Sequence, residues 1–138
     1  MYNLVYISTA IKLMNEDELG EILVASRDNN FANDVTGLLL YSEGTFIQVL
    51  EGEQENVEKI YSKILKDLRH KNAIELATGN IAERNFPGWA MGFSSVNSEV
   101  LKEFKGYIDP SDNHFLKSAN VSEAVSILKG FAESNGMS

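Results

Sequence analysis

The sequence predicts an α+β fold in which strands and helices follow the order β-α-β-β-α-β-β. Two segments with the apolar spacing of amphipathic helices lie between shorter segments rich in β-branched and aromatic residues. The only prolines are Pro87 and Pro110, and neither a low-complexity linker nor an internal repeat interrupts the chain. A chain of 138 residues, 43% hydrophobic and 23% charged, suits one domain that buries a core.

The first strand and the first helix are predicted near the N-terminus. Residues 2–8 are rich in aromatic and β-branched side chains, which is typical of a strand. Asn15 followed by Glu18 is a capping-box pattern and predicts a helix start at Asn15. An apolar stripe with helical spacing then continues to about Asn30, so we expect the helix to end there.

Two further strands and a second helix are predicted in the middle of the chain. Residues 35–41 and 45–51 form strand-like runs joined by a short loop that contains Gly44. Both runs are apolar on both faces, which is typical of strands in the centre of a sheet. Residues 53–68 predict a helix with an acidic first turn and one apolar face. That face consists of Val57, Ile60, Tyr61, Ile64 and Leu68.

The last predicted elements complete a ferredoxin-like sheet. Strand-like runs at residues 73–78 and 91–95 follow the second helix, and the resulting order places both helices on one face of the sheet. Residues 96–138 predict a short helix at 100–105 and a longer one at 122–134. We expect these C-terminal helices to cover the other face.

Charge and composition exclude several classes of protein. Twelve Lys and Arg against twenty Asp and Glu give a formal charge of −8, which argues against a nucleic-acid partner. The lack of cysteine excludes disulfides and thiolate chemistry, and His70 and His114 are too far apart in sequence to suggest a metal site. Neither a secretory signal nor an apolar run of roughly 20 residues is visible, so we expect a cytoplasmic protein without a membrane partner.

Two polar side chains interrupt the predicted core strands. Gln48 alternates with Phe46 and Leu50 on one face of its strand, and Tyr6 shares a strand face with Leu4. A buried amide without partners costs roughly 1–3 kcal/mol, so a buried Gln48 requires hydrogen-bond partners. Taken singly, Gln48 is equally compatible with a solvent-facing strand, and Tyr6 with a core tyrosine that makes one hydrogen bond.

Both predicted helices change from apolar to polar toward their C-terminal ends. Polar residues follow Ile22 and Ile64 at distances of about one to two helical turns. These are Ser26, Asn29 and Asn30 after the first helix's isoleucine, and Asp67, Arg69 and His70 after the second's. Each set alone is typical of a helix cap or a solvated helix end. Together with Tyr6 and Gln48 they predict a slot for a flat apolar ligand with polar edges, walled by the two isoleucines.

Six short segments occur in a fixed order along the chain. They read LVYIS at 4–8, NN at 29–30, TGLL at 36–39, FIQVLEG at 46–52, DLRH at 67–70 and FPGWAM at 86–91. Together they resemble the BLUF family, the blue-light sensors that use flavin. The resemblance extends over residues 2–95, and it implies a flavin-binding photosensor domain at 1–95 with a C-terminal helical extension of the same domain at 96–138.

The resemblance implies a flavin between the two helices, FAD in this family, with FMN or riboflavin as alternatives. Ile22 and Ile64 would flank the isoalloxazine ring, and Asn30 would hydrogen-bond its polar edge. The other residues of the slot would lie near the ring, the ribityl chain or the phosphate. They are Ser26, Asn29, Asp67, Arg69 and His70.

The resemblance also implies a photoactive set of residues. Tyr6 would give an electron and a proton to the excited flavin, and Gln48 would bridge the phenol and the flavin. An amide carries both donors and an acceptor, so rotation or tautomerisation of Gln48 exchanges hydrogen bonds without a change of charge. Trp89 and Met91 in the fifth strand would relay the signal.

Three functions are compatible with these observations. The first is a photoreceptor that is not an enzyme and signals through a homo-oligomer or a separate downstream protein, since 138 residues leave no room for a fused output domain. The second is a small acylphosphatase-type hydrolase using Arg69 and Asn30, although the glycine-bearing phosphate loop of such an enzyme is missing. The third is a flavin-binding module without photochemistry.

Overall fold

Five strands form one sheet, and two helices lie along the chain between them in the predicted order. The computed structural model describes residues 1–42, 44–84, 92–95, 127–128 and 130–131. The elements are β1 (Tyr2–Ala10), α1 (Glu16–Ala32), β2 (Thr36–Ser42), β3 (Thr45–Gly52), α2 (Gln54–Leu65), β4 (His70–Asn80) and β5 (Gly92–Ser95). This arrangement confirms the predicted α+β, ferredoxin-like fold. In the part of the chain that is described, no helix is both long and apolar enough to cross a membrane.

The sheet has the strand order β4-β1-β3-β2-β5. The first four strands pair antiparallel, and β5 runs parallel to β2. β3 and β2 therefore lie inside the sheet, as their apolar character on both faces predicted. The register places Tyr6 opposite Gln48, and Gln48 opposite Leu39 on its other side.

Both helices cover the same face of the sheet. Leu19 and Leu23 of α1 share one buried cluster with apolar residues of α2 and with the strand residues of this face. The α2 members are Val57, Ile60 and Tyr61. The opposite face is buried as well, since Val5, Leu40 and Val49 expose none of their surface. The sheet is therefore apolar on both sides.

The C-terminal extension is described only in part. Residues 127, 128, 130 and 131 are helical and lie within the helix predicted at 122–134, and Leu128 is fully buried. The helix predicted at 100–105 lies outside the described residues. A helical cap on the second face stays a prediction.

The second helix ends three residues earlier than predicted. It stops at Leu65, and Leu68 is 86% exposed, so its assignment to the apolar face is wrong. The carboxylate of Asp67 accepts a hydrogen bond from the backbone N–H of Arg69 at 2.9 Å, while the N–H of Asp67 donates to the carbonyl of Ile64 at 3.0 Å. Such a side-chain-to-backbone bond favours a turn over a further helical turn. β4 consequently begins at His70, three residues before the predicted strand.

The capping box predicted for α1 is present. Oδ1 of Asn15 accepts a hydrogen bond from the N–H of Glu18 at 2.9 Å, and Oε1 of Glu18 accepts one from the N–H of Asn15 at 3.2 Å. An Asn15→Ala variant is expected to lower the free energy of unfolding by about 1 kcal/mol, because it leaves one of these N–H groups without its acceptor. Urea denaturation measures this, and Asn15→Ser is the matched control that keeps a capping oxygen. Equal midpoints for the Ala and Ser variants would contradict the capping role.

Candidate functional site

A cleft opens between α1 and α2 above the helix-covered face of β1 and β3. Its empty space is about 680 Å³, a figure that includes the part open to solvent. All ten residues predicted to bind a cofactor line this cleft. They are Tyr6, Ile22, Ser26, Asn29, Asn30, Gln48, Ile64, Asp67, Arg69 and His70. The fold therefore brings together residues that are distant in the sequence.

Tyr6 and Gln48 form the polar floor of the cleft. The two residues face each other across β1 and β3, and the Tyr6 hydroxyl donates a hydrogen bond to Oε1 of Gln48. Only 4% of Tyr6 and 2% of Gln48 is exposed. Burial raises the pKa of the Tyr6 phenol far above its ordinary value, and Tyr61 and Asp67 raise it further, so the phenol stays protonated and serves as a neutral donor.

Aromatic rings hold the Tyr6 side chain in place. Its ring centroid lies 5.3 Å from that of Tyr61 at a tilt of 46°, and 6.4 Å from that of His70. Tilted ring pairs at these distances are favourable beyond the area they bury. The phenol is thus packed between α2 and β4, which limits the positions that its hydroxyl can take.

The polar residues that α1 contributes to the cleft differ in their exposure to solvent. Asn29 is exposed, Ser26 is half-buried, and Asn30 is only 1% exposed. The C-cap of α1 is Asn33. Neither Asn29 nor Asn30 is therefore the helix cap, which was the alternative role that the sequence allowed for them. The backbone carbonyl of Asn30 accepts a bond from the N–H of Val35 at 2.9 Å, which fixes the helix end to the start of β2.

An ion pair forms the opposite rim, where α2 leads into β4. The guanidinium of Arg69 donates to Asp67 through Nε at 2.9 Å and through a terminal nitrogen at 2.6 Å. The hydrogen bond from Arg69 lowers the pKa of Asp67, and the same bond raises the pKa of Arg69. His70 lies nearby, with Nε2 at 2.5 Å from the carbonyl oxygen of Ile64. The Arg69 guanidinium, which an acylphosphatase-type mechanism would require for binding phosphate, is therefore already paired with Asp67.

The Asp67–Arg69 pair predicts a specific dependence of stability on pH. The pKa of Asp67 is lower in the folded state than in the unfolded chain, where it is about 3.9. The pair's contribution is therefore complete above that value and is lost as the pH falls through the lowered folded pKa. Thermal unfolding between pH 2 and pH 7 measures this. We expect the difference in stability between the wild type and Asp67→Asn to shrink on acidification, and a constant difference would contradict the pair.

Six further residues line the cleft that the sequence did not single out. They are Ser8, Ala25, Leu39, Phe46, Ile60 and Lys63. A usable signal existed for Ser8, which shares a strand face with Tyr6, and for Ile60, which lies one turn before Ile64. Leu39 faces Gln48 across the hairpin of β2 and β3, so the short loop predicted at Gly44 was a usable signal for it as well. Trp89 and Met91 lie outside the described residues.

The donor set of the cleft fits a flavin. Apolar side chains such as Ile22 and Leu39 suit the faces of a flat ring, and the amides and the Tyr6 hydroxyl suit its polar edge. The buried hydroxyl of Ser8 has no hydrogen-bond partner in the described part of the chain. A polar atom of a bound ligand would supply the missing hydrogen bond. Over the same residues, no group of three or more carboxylate or imidazole side chains is placed to hold a metal ion.

Comparisons with known proteins agree with this geometry. Residues 1–92 match the family model BLUF, described as sensors of blue-light using FAD. A photoactivated adenylate cyclase subunit beta of Euglena longa is 34% identical over 102 residues, which are 73% of this chain and 12% of that protein. The blue light- and temperature-regulated antirepressor BluF of Escherichia coli (strain K12) is 38% identical over 69 residues, 50% of this chain and 17% of the relative. The chain thus spans only a small part of these two relatives.

Solved structures show the same architecture. The ground state of BlsA has a TM-score of 0.68 and 32% sequence identity, and the match covers 99% of this chain and 88% of that one. These likenesses favour a flavin sensor over the hydrolase alternative. Because the family model matches two-thirds of the chain and the sheet, helices and cleft agree with it, the chain belongs to the BLUF family of blue-light sensors that use flavin.

Proposed function

We propose that Tyr6 and Gln48 are the photoactive pair of this blue-light sensor and that FAD is the flavin held in the cleft. The observation that carries this proposal is the buried hydrogen bond from the Tyr6 hydroxyl to Oε1 of Gln48 on the cleft floor. FMN and riboflavin contain the same ring, so the choice of FAD follows from the family description alone.

The cleft residues suggest how the ring is bound. Ile22 and Ile64 would flank it from α1 and α2, and the buried Asn30 would hydrogen-bond its polar edge. The half-buried and exposed polar residues near the rim would meet the ring edge, the ribityl chain or the phosphate. They are Ser26, Asn29, Asp67, Arg69 and His70. A bound flavin supplies absorption of blue light and, once excited, a strong acceptor for an electron.

The chain's own part in the chemistry centres on one proton. The raised pKa of Tyr6 keeps this proton on its hydroxyl in the resting state, and Oε1 of Gln48 is the acceptor that the structure provides for it. Burial of both residues keeps bulk water from competing for the bond. Tyr6 would give an electron to the excited flavin, and its proton, made strongly acidic by that loss, would follow to the same acceptor with Gln48 bridging the two.

The amide of Gln48 is the switching element. Its Oε1 accepts from Tyr6 while its Nε2 carries two donors, so a rearranged amide offers its neighbours different hydrogen bonds at the same net charge. Two arrangements of one buried amide make a two-state switch that relaxes in the dark. Trp89 and Met91 would pass this change to the surface as relay residues.

The output would be a changed protein–protein contact. We assign residues 1–95 to the sensor domain and residues 96–138 to a helical cap that transmits the signal to a second copy of the chain or to a separate downstream protein. Two solved structures of BlsA, described as its ground state and its photo-activated state, are covered to 88% and 95% by this chain, which supports a light-driven change of state. The charge of −8 favours a protein over a nucleic acid as the partner. A cytoplasmic location stays a prediction.

An absorption measurement tests the proposal. The purified protein is mixed separately with FAD, FMN and riboflavin, freed of excess flavin, and measured before and after blue light. We expect a yellow protein whose absorption shifts reversibly to the red. A colourless protein that takes up none of the three would overturn the proposal, and a yellow one without a shift would identify a flavin carrier instead.

A further inference from the structure

Ser8 combines three features that the proposed photochemistry does not use. On the basis of the proposed function, we infer that Ser8 is a flavin-binding residue whose hydroxyl pairs with a carbonyl oxygen or a ring nitrogen of the bound flavin. Ser8 lines the cleft, it is only 3% exposed, and its Oγ has no hydrogen-bond partner among the described residues.

An unpaired buried hydroxyl has to be explained. Polar side chains inside proteins are almost always hydrogen-bonded, because an unpaired one has lost its hydration without replacement. The neighbouring polar residue on the same strand, Tyr6, follows this rule and donates to Gln48. A core position at Ser8 would be better filled by alanine, so the hydroxyl is a liability in the protein without its ligand.

The position of Ser8 in the sheet explains why neither neighbouring strand gives its hydroxyl a hydrogen-bond partner. Its Cα faces that of Phe46 on β3, whose side chain offers neither a donor nor an acceptor. On the other side, the pairing of β1 with β4 passes over Ser8, because the register shifts between Ile7 and Thr9. Asn72 of β4 has a positive φ of 56° at this irregularity. Irregular pairing of this kind is common beside functional sites, where it redirects side chains.

The orientation of the strand directs the hydroxyl toward the ligand. Ser8 is two residues after Tyr6 on β1, so both side chains project from the same face, toward the helices. Tyr6 and Gln48 supply two polar groups of the floor, and Ser8 supplies a third one strand step away. All three residues would therefore offer hydrogen-bonding groups to a ligand bound in the cleft. Because the hydroxyl would gain its missing hydrogen bond only when the ligand binds, that bond would contribute to affinity.

A Ser8→Ala variant separates this role from a structural one. In the flavin-free full chain, we expect Ser8→Ala to melt at a higher temperature than the wild type, because it removes an unpaired buried polar group. In a titration of the same flavin-free chain with riboflavin, we expect its dissociation constant to rise about tenfold. A hydroxyl that serves the fold would produce the opposite change in melting temperature and would leave the affinity unchanged.

Two further variants complete the experiment. Ser42→Ala removes another buried serine of the sheet, outside the cleft, and is expected to leave riboflavin affinity unchanged. Ser8→Thr keeps the hydroxyl and is expected to bind riboflavin more tightly than Ser8→Ala. If the wild type binds riboflavin and Ser8→Ala binds it equally well, the inference is wrong while the proposed function stands. If the wild type binds no flavin, the proposed function fails and the inference with it.

Discussion

A Gln48→Leu variant is expected to bind flavin and to lose the light-induced red shift completely. Leucine has a similar volume and fills the same place on the cleft floor, but it has neither the acceptor Oε1 nor the donors at Nε2. The Tyr6 hydroxyl then lacks the partner to which it donates, and no amide remains to exchange hydrogen bonds. Absorption spectra of the FAD-loaded variant before and after blue light measure the effect.

The matched variant at the other end of the bond is Tyr6→Phe. It keeps the ring that packs on Tyr61 and removes only the hydroxyl, so it should also bind flavin and lose the shift. Gln48→Leu leaves the buried Tyr6 hydroxyl without the acceptor Oε1, which is expected to cost about 1–3 kcal/mol of unfolding free energy, whereas Tyr6→Phe removes one hydrogen bond of Gln48. The double variant removes both groups and should be more stable than the sum of the two losses indicates. A red shift that survives in either single variant would exclude Tyr6 and Gln48 as the photoactive pair.

The fold was predictable where local chemistry decides it. The Asn15 capping box and the two-sided apolar character of β2 and β3 are properties of neighbouring residues, and the structure confirms both. The end of α2 was not predictable from periodicity, because Leu68 continues the apolar stripe. What ends the helix is the carboxylate of Asp67, which accepts a bond from the backbone of Arg69. Apolar spacing contains no information about such a competing bond.

The candidate site was also predictable only in part, because local spacing predicts some of its residues and long-range strand pairing places the others. Helical spacing places Ser26 and Asn30 on the side of Ile22, and the cleft indeed takes all three. The pairing of Tyr6 with Gln48 depends on β1 and β3 being neighbours in a specific register, so no single strand predicts it. Ser8 was overlooked although it shares a strand face with Tyr6, because a serine in a strand indicates a site only when its hydroxyl is known to be buried and without a hydrogen bond.

A Gly37→Ala variant is expected to lose most or all of its folded population. A Cβ at this position would overlap the backbone carbonyl of Val49, far inside van der Waals contact, and would lie 3.1 Å from its carbonyl carbon. Backbone atoms of a central strand cannot move aside as a side-chain tip can, so β2 or β3 has to shift. We expect a loss of more than about 4 kcal/mol, a large part of the stability of an ordinary domain. Urea denaturation and flavin uptake both measure it, because β3 carries Gln48.

Gly79→Ala is the matched control, since it adds the same methyl group to another strand of the same sheet. A Cβ at Gly79 in β4 would have no atom within 4 Å, and its φ is not in the left-handed region. The substitution also restricts the unfolded chain, so its stability is expected to stay within about 1 kcal/mol of the wild type or to rise slightly. If the two alanine variants unfold at the same urea concentration, a general intolerance of the strands to alanine explains the loss at Gly37. A wide separation of their midpoints attributes it to the close approach of β2 to the carbonyl of Val49, on the strand that positions Gln48 against Tyr6.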